Sequence, residues 1–407
     1  MLPESWELST VGKCCAIKNN LRLPLSTEQR EKMKGPFPYF GPTGALGYID
    51  HFRIDEEFAL IGEDGDHFLK FKERPMTILF NGKANVNNHA HVIVNSEKCL
   101  ASWFFYWFMH RDLTSVLSRQ GVGRYKLTKA GLEELEIAIP PLEEQYKIVR
   151  IFSIWNKTIA TTEHLLATTR KQKQAMLARV LTGKRRLRSF VGDAKFRPTP
   201  HGTIPEDWSY PKIEEIASEI NKRHSEEAPF PVLSCTKHEG LVDSLSYFNK
   251  QVFSKDLSTY KIVPRGTFVY ATNHIEEGSI GYQDLYDFGL VSPMYTVFNT
   301  TNEVHDGYLY RLLKTEHFRQ IFEASTNSSV DRRGSLRWNE FKKLHIPLPP
   351  MMEQKAIDDV LTHMDREIEL LKQQLRKLQM EKSALMQQLL TGKRRVRLPV
   401  QTEAIPA

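Results

Sequence analysis

The sequence predicts an α+β protein: two α/β domains, each followed by a long helix, with the two helices pairing as an antiparallel coiled coil. Three observations lead there. A stretch of about forty residues occurs twice in the chain. Each copy carries the seam of a long amphipathic helix. The segment before each copy is made of short apolar runs cut by glycine and proline.

The repeat keeps one register. Pro140, Pro141, Glu144, Gln145, Ile148, Ile159, Leu166, Lys173, Ala175 and the run Leu181-Thr182-Gly183-Lys184-Arg185-Arg186 recur 209 positions later as Pro349, Pro350, Glu353, Gln354, Ile357, Ile368, Leu375, Lys382, Ala384 and Leu390-Thr391-Gly392-Lys393-Arg394-Arg395. Identities held in register without a gap mark an internal duplication. Residues 1–139 then form an N-terminal domain, 140–187 the first long helix, 188–205 a linker, 206–348 a C-terminal domain, 349–396 the second long helix and 397–407 a tail.

The N-terminal domain opens with Leu2-Pro3-Glu4-Ser5-Trp6, which the second half echoes in Ile204-Pro205-Glu206-Asp207-Trp208. Tyr39 to Asp50, Ala59 to Gly62 and Met76 to Phe80 are short apolar stretches bounded by turn residues, which favours strands over long helices. Ser102 to Leu117, rich in Trp and Phe, reads as a buried helix whose aromatics belong to the core, with a base-stacking platform as the alternative. The first long helix should start after Pro140-Pro141 and stop at Gly183, because proline is tolerated at the start of a helix and glycine provides a left-handed cap. Its seam runs Ile148, Phe152, Trp155, Ile159, Thr162, Leu166, Thr169, Lys173, Met176 and Val180.

The C-terminal domain has the same style and little of the same sequence. Tyr260 to Tyr270 reads as a turn feeding a strand, Asn273 to Gly281 as a loop, Leu290 to Phe298 as a strand and Gly307 to Phe322 as an amphipathic helix. The second long helix carries the cleaner seam: Ile357, Leu361, Met364, Ile368, Leu371, Leu375, Leu378, Leu385 and Leu389, in steps of four and three with Lys382 in the gap. Some forty helical residues span about 60 Å at 1.5 Å per residue. A stripe of that length needs a partner, and the other copy is the natural one; a seam shared with a second chain is the alternative.

Composition narrows the function. The four cysteines, Cys14, Cys15, Cys99 and Cys235, form no CxxC pair and no ligand spacing, which suits a reducing cytoplasm. No apolar run is long enough to span a bilayer. The net charge of +7 is unevenly placed: residues 1–139 are neutral, 140–205 carry +9, 206–348 carry −4 and 349–407 carry +2. The globular segments are therefore not basic, and any phosphate neutralisation must come from local clusters or from another subunit. The basic stretch from Arg170 to Arg197 could grip phosphates or be a solvated helix end.

Two polar runs have the composition of base-reading loops, since asparagine pairs with adenine and lysine or arginine with guanine. In the first, Lys83, Asn85, Asn87, Asn88 and His89 are the candidates, with a simple turn as the alternative. In the second half it is the basic loop of Arg332 and Arg333, which can hold phosphate or guanine, with a solvated surface loop as the alternative; Asn273, His274 and Ser279, in an earlier loop, are further candidates. No methyltransferase Asn-Pro-Pro-Tyr motif occurs, Gly183-Lys184 and Gly392-Lys393 lack the remainder of a phosphate-binding loop, and no catalytic or metal constellation is apparent.

On the Pro-Pro-x-x-Glu-Gln starts, the Leu-Thr-Gly-Lys-Arg-Arg ends and the order domain, helix, domain, helix, the chain resembles the DNA specificity subunit of type I restriction-modification systems. Gly41-Pro42-Thr43-Gly44 with Gly47 to Asp50, Asn87 to His91, and Tyr260 to Tyr270 with Val291-Ser292-Pro293 also resemble stretches of that family's target-recognition domains. The resemblance implies a noncatalytic DNA-binding subunit, each domain reading half of a bipartite target while the helices set the spacer. It implies two modification subunits that methylate adenine with S-adenosylmethionine, restriction subunits that use ATP and Mg, and no cofactor in this chain. Glu144, Gln145, Glu353, Gln354, Lys184, Arg185, Lys393 and Arg394 would then dock those subunits along the helices. A fused enzyme would need a cofactor domain for which neither half has room, and an autonomous repressor would bind DNA tightly alone.

Overall fold

The computed structural model describes residues 2–120, 124–191, 195–224, 230–326 and 335–397. The chain forms two compact units, Met1–Glu163 with Gln373–Ala407, and His164–Lys372. These units cut across both long helices, so each takes in the start of one and the end of the other.

In the first unit, β1 (Glu7–Thr10) pairs with Glu136–Ile139, closing the domain immediately before the first Pro-Pro pair. Its main sheet has six strands: β2 (Ala16–Ile17), β3 (Lys34–Gly41), β4 (Gly44–Ile49), β5 (Ile54–Gly62), β6 (Thr77–Val86) and β7 (Ala90–Val94), in the order β2-β7-β5-β6-β3-β4. Along β5 the side chains alternate between two buried faces. Phe58 and Leu60 join Phe40, Val86 and Val92 on one side, while Ala59 and Ile61 join the aromatic helix on the other.

That helix is shorter than the sequence suggests, running only from Ala101 to Phe108. It ends because Asp112 Oδ1 accepts from both the Thr114 amide (2.9 Å) and hydroxyl (2.6 Å), a side-chain turn that competes with helix continuation. Its tryptophans are core, as expected: Trp103 and Trp107 donate their indole N–H groups to the carbonyls of Ala138 and Glu136.

In the second unit, strands Ala217–Glu219, Tyr295–Thr300, Phe268–Ala271 and Ile280–Tyr282 form a four-stranded sheet in that spatial order. Phe268 and Phe298 stack across it at 5.0 Å. The single amphipathic helix expected over 307–322 is two helices, Asp306–Leu313 and Glu316–Ser325. The break falls where the Thr315 hydroxyl accepts from the Phe318 amide and caps the second helix. Likewise Leu290 to Phe298 is two strands, Phe288–Val291 and Tyr295–Thr300, separated by the turn at Ser292-Pro293.

The long helices span Leu142–Val180 and Met351–Leu390. Every residue of both expected seams is buried or half-buried. In the first unit Ile148 and Phe152, from the start of one helix, share a core with Leu389 and Leu385 from the end of the other. In the second unit Ile357 and Leu361 share a core with Val180 and Leu177. Start meets end in both, so the pair is antiparallel.

The first unit also buries a histidine. The His67 ring lies 4.1 Å from that of Phe68, its Nε2 is buried without a partner, and burial pushes its pKa down to about 4. An unfolded histidine titrates near 6.5. The unfolded chain therefore binds the proton first, and stability present above about pH 6.5 is lost as the pH falls towards 4, about 2 kcal/mol of it by pH 5. Urea unfolding at pH 7.5 and 5 should show that loss in the parent chain and a smaller one in His67→Gln; equal losses would contradict the assignment.

Candidate nucleic-acid interface and the helix clamps

The residues that are identical in the two copies of the repeat build two joints of the same design. After Pro141 the chain turns into helix as its carbonyl accepts from the amides of Glu144 (2.9 Å) and Gln145 (3.1 Å); Pro350 does the same for Glu353 (2.8 Å) and Gln354 (3.1 Å). This aims both side chains inward, and all four residues are buried to within 1 %. Gln145 donates to the carbonyls of Pro140 and Lys98 and accepts from the Leu100 amide. Gln354 repeats the pattern with Pro349, Glu303 and His305.

The glutamates are met by the opposite helix end. Arg395 grips Glu144 with two bonds of 2.7 Å, and the Trp6 indole donates to the same carboxylate at 3.1 Å. Arg186 grips Glu353 at 2.9 and 2.6 Å, and Trp208 donates at 3.1 Å. Arg186 also reaches Asp207 at 2.8 Å. The arginines are brought round by Gly183 (φ +69°) and Gly392 (φ +71°), left-handed caps that place no Cβ against the rings of Pro205 and Pro3. Each joint thus ties a helix start, the other helix's end and the first residues of a domain.

As surface contacts for a docked subunit, Glu144, Gln145, Glu353 and Gln354 are ruled out by this burial. Their hydrogen-bonding capacity is spent inside the fold. Lys184, Arg185, Lys393 and Arg394 are exposed.

Above the joints the two units diverge. In the second, Arg311 binds Asp358 (2.6 Å), Thr362 (2.9 Å) and Asp365 (2.8 Å), and Lys173 also binds Asp365. Burial works against the Asp365 charge, but Lys173 and Arg311 hold its carboxyl below the usual range. At the matching positions the first unit has Val149, Ser153 and Asn156. There Asn156 donates to the Tyr106 hydroxyl at 2.9 Å, and the Tyr106 and Phe152 rings lie 4.8 Å apart.

The structure sorts the base-reading candidates. Asn85 is fully buried and donates to the His51 carbonyl, and Asn87 is buried with its oxygen accepting from the His89 amide. Ser279 is buried as well. These three cannot reach a base edge, and the expected polar loop is mostly strands β6 and β7 with a tight turn between. Lys83, Asn88 and His89 are exposed; Lys83 lies over the Phe52 ring at 4.7 Å and His89 contacts Asp64 at 2.9 Å. Asn273 and His274 are half-exposed. Arg332 and Arg333 lie outside the described residues.

Among the described residues, His274, Glu276 and Glu277 bring ligand-type atoms within 4.8 Å of one another. Such partly exposed acidic groups are common without a cation. No described helix is long and apolar enough to cross a membrane. What sequence reasoning missed is the role of Trp6, Trp208, Arg186 and Arg395. Their signal was the paired Trp in the two domain openings and the third basic residue of each helix end.

A family model described as the type I restriction modification DNA specificity domain matches residues 3–169 and again 205–380. The chain is 23% identical over 411 residues to the specificity subunit of the type I restriction enzyme MjaVIII of Methanocaldococcus jannaschii, covering 97% of this chain and 94% of that one. It is 32% identical over 145 residues to a putative type I restriction enzyme specificity subunit of Haemophilus influenzae, 36% of each chain. In fold it is similar to the crystal structure of the S subunit of a type I restriction-modification system from M. genitalium, with a TM-score of 0.55 at 12% identity over 97% of each chain.

The joints make a graded expectation. Arg186→Met and Arg395→Met both strand a carboxylate with no exposure, but Arg186 is itself only 10% exposed, so Arg186→Met should cost about 3–5 kcal/mol. In Arg395→Met the lost guanidinium is 42% exposed, so water already screens the pair and the cost should be nearer 1–2 kcal/mol. Urea unfolding reads both, and the reverse order would contradict the burial argument.

Proposed function

The chain belongs to the type I restriction modification DNA specificity family, and from that membership we propose that it is the sequence-specific DNA-binding subunit of a type I restriction-modification complex. Each domain reads one half of a bipartite target, and the antiparallel helices set the spacer and dock two modification subunits. The observation that carries this reading is the contrast between joints that repeat the same Glu, Gln, Gly, Arg and Trp and domains that share little of their sequence. A duplicated frame suits a partner used twice. Unlike domains suit two different half-targets.

In this reading the subunit is noncatalytic and cytoplasmic and holds no cofactor. Adenine methylation with S-adenosylmethionine belongs to the modification subunits, and ATP- and Mg-dependent translocation and cleavage of double-stranded DNA belong to restriction subunits. Lys83, Asn88 and His89 in the first domain and Asn273 and His274 in the second are the candidate base contacts, joined by Arg332 and Arg333. Lys184, Arg185, Lys393 and Arg394 are the candidate docking cations. Neither globular segment is basic, so the lone chain should bind DNA weakly and gain affinity when modification subunits add their own charge.

Mapping methylated adenines in host DNA with and without this chain would reveal the target. Exchanging residues 1–139 for another such domain should change one half of it and leave the other half and the gap alone. A change in both halves would end the modular reading.

A further inference from the structure

The second unit contains a cavity of about 670 Å³ between the end of the first long helix, the hairpin Phe196–Thr199/Gly202–Pro205 and the helices on either side of Lys314. Its floor is apolar, with Leu177, Leu181, Ile204 and Phe318 among the lining side chains. Its polar rim is one-sided: His201, His238, His317, His345, Lys184 and Tyr210 all face it. The Tyr210 hydroxyl is buried without a hydrogen-bond partner, and its ring stacks on His345 at 5.1 Å. The His201 and His317 rings lie 6.4 Å apart.

The other charges that face the cavity are already committed. Asp365 is held by Lys173 and Arg311, and Glu316 by Arg319. Lys314 donates to the carbonyls of Lys237 and Gly278. The hydroxyls of Thr182, Thr199 and Thr315 spend their hydrogens on the carbonyls of Ala178, Gly202 and Leu312, and Gln174 and Thr203 are neutral. The remaining ionisable groups, Lys184 and the histidines, are donors or become donors on protonation, with no carboxylate left free beside them. Such a set matches a ligand that only accepts.

We propose that this cavity is a binding site for a tetrahedral oxyanion, a phosphate or phosphate ester, seated between Lys184 and the histidine rim. The phosphate could come from a DNA backbone or from a free phosphorylated metabolite. The site does not depend on either domain reading bases. Burial keeps His201 and His317 below the ordinary histidine pKa, with repulsion from His317 and His345 adding to it at His201; at His317 a hydrogen bond with the His201 backbone works against it and Lys184 adds to it. Anion binding reverses that repulsion, so protons enter with the ligand and affinity rises as pH falls.

Sulfate is a suitable probe because it stays doubly charged across the range. Calorimetric titration of the full chain should show saturable sulfate binding that is about fivefold tighter at pH 5.5 than at pH 8. Lys184→Glu and His317→Gln should each weaken it by about fivefold or more, whereas Lys382→Glu in the other unit should leave it unchanged. Competition separates the sources: displacement by a short duplex assigns a backbone phosphate, and displacement by thymidine monophosphate alone assigns a free ester. Sulfate heats that do not saturate, or that ignore both variants or pH, would overturn the proposal.

Discussion

A carboxylate sealed from water must be met by a cation, and at each helix start that cation is an arginine just beyond the end of the other long helix. Glu144 and Glu353 are wholly buried. Removing two charges from water costs several kcal/mol per ion, and the cost is recovered only by close, bidentate, fully hydrogen-bonded pairing. Arg395 and Arg186 supply that geometry because a left-handed glycine ends each helix three residues earlier. The pairings fix where each helix begins, where it stops and which end of its partner lies beside it. Antiparallel packing of the seams follows from the same condition.

The frame tolerates different fillings. Over the same helix faces the first unit packs Tyr106 against Phe152 and Asn156, and the second builds the Arg311, Asp358 and Asp365 network. Lys173 finds a carboxylate there, whereas the matching Lys382 has Asn156 where Asp365 would be. Duplication kept the residues whose loss would strand a buried charge and let the surroundings change. A specificity subunit has to change its readers without disturbing its frame, and this division permits it.

Much of this was legible in the chain itself. The seams were readable because a long helix with one buried face keeps its period; even Thr162, Thr169 and Lys173 fall where the pattern puts them. The helix limits were readable from Pro-Pro and Gly. Composition failed where side chains serve the backbone. The aromatic helix stopped early because Asp112 makes a local turn, and Asn85 and Asn87 looked like base readers but satisfy buried or turning main chain. The clamps were out of reach for another reason: Glu144 and Arg395 are 251 residues apart, and nothing in either motif says which copy the other will meet.

Each unit is built from both halves of the chain. Expressing residues 1–191 and 192–407 as separate polypeptides in one cell tests it directly. The two pieces should purify as a one-to-one complex that melts close to the intact chain, because each carries an arginine the other's glutamate requires. Two pieces that fold and migrate independently, each stable without the other, would contradict it.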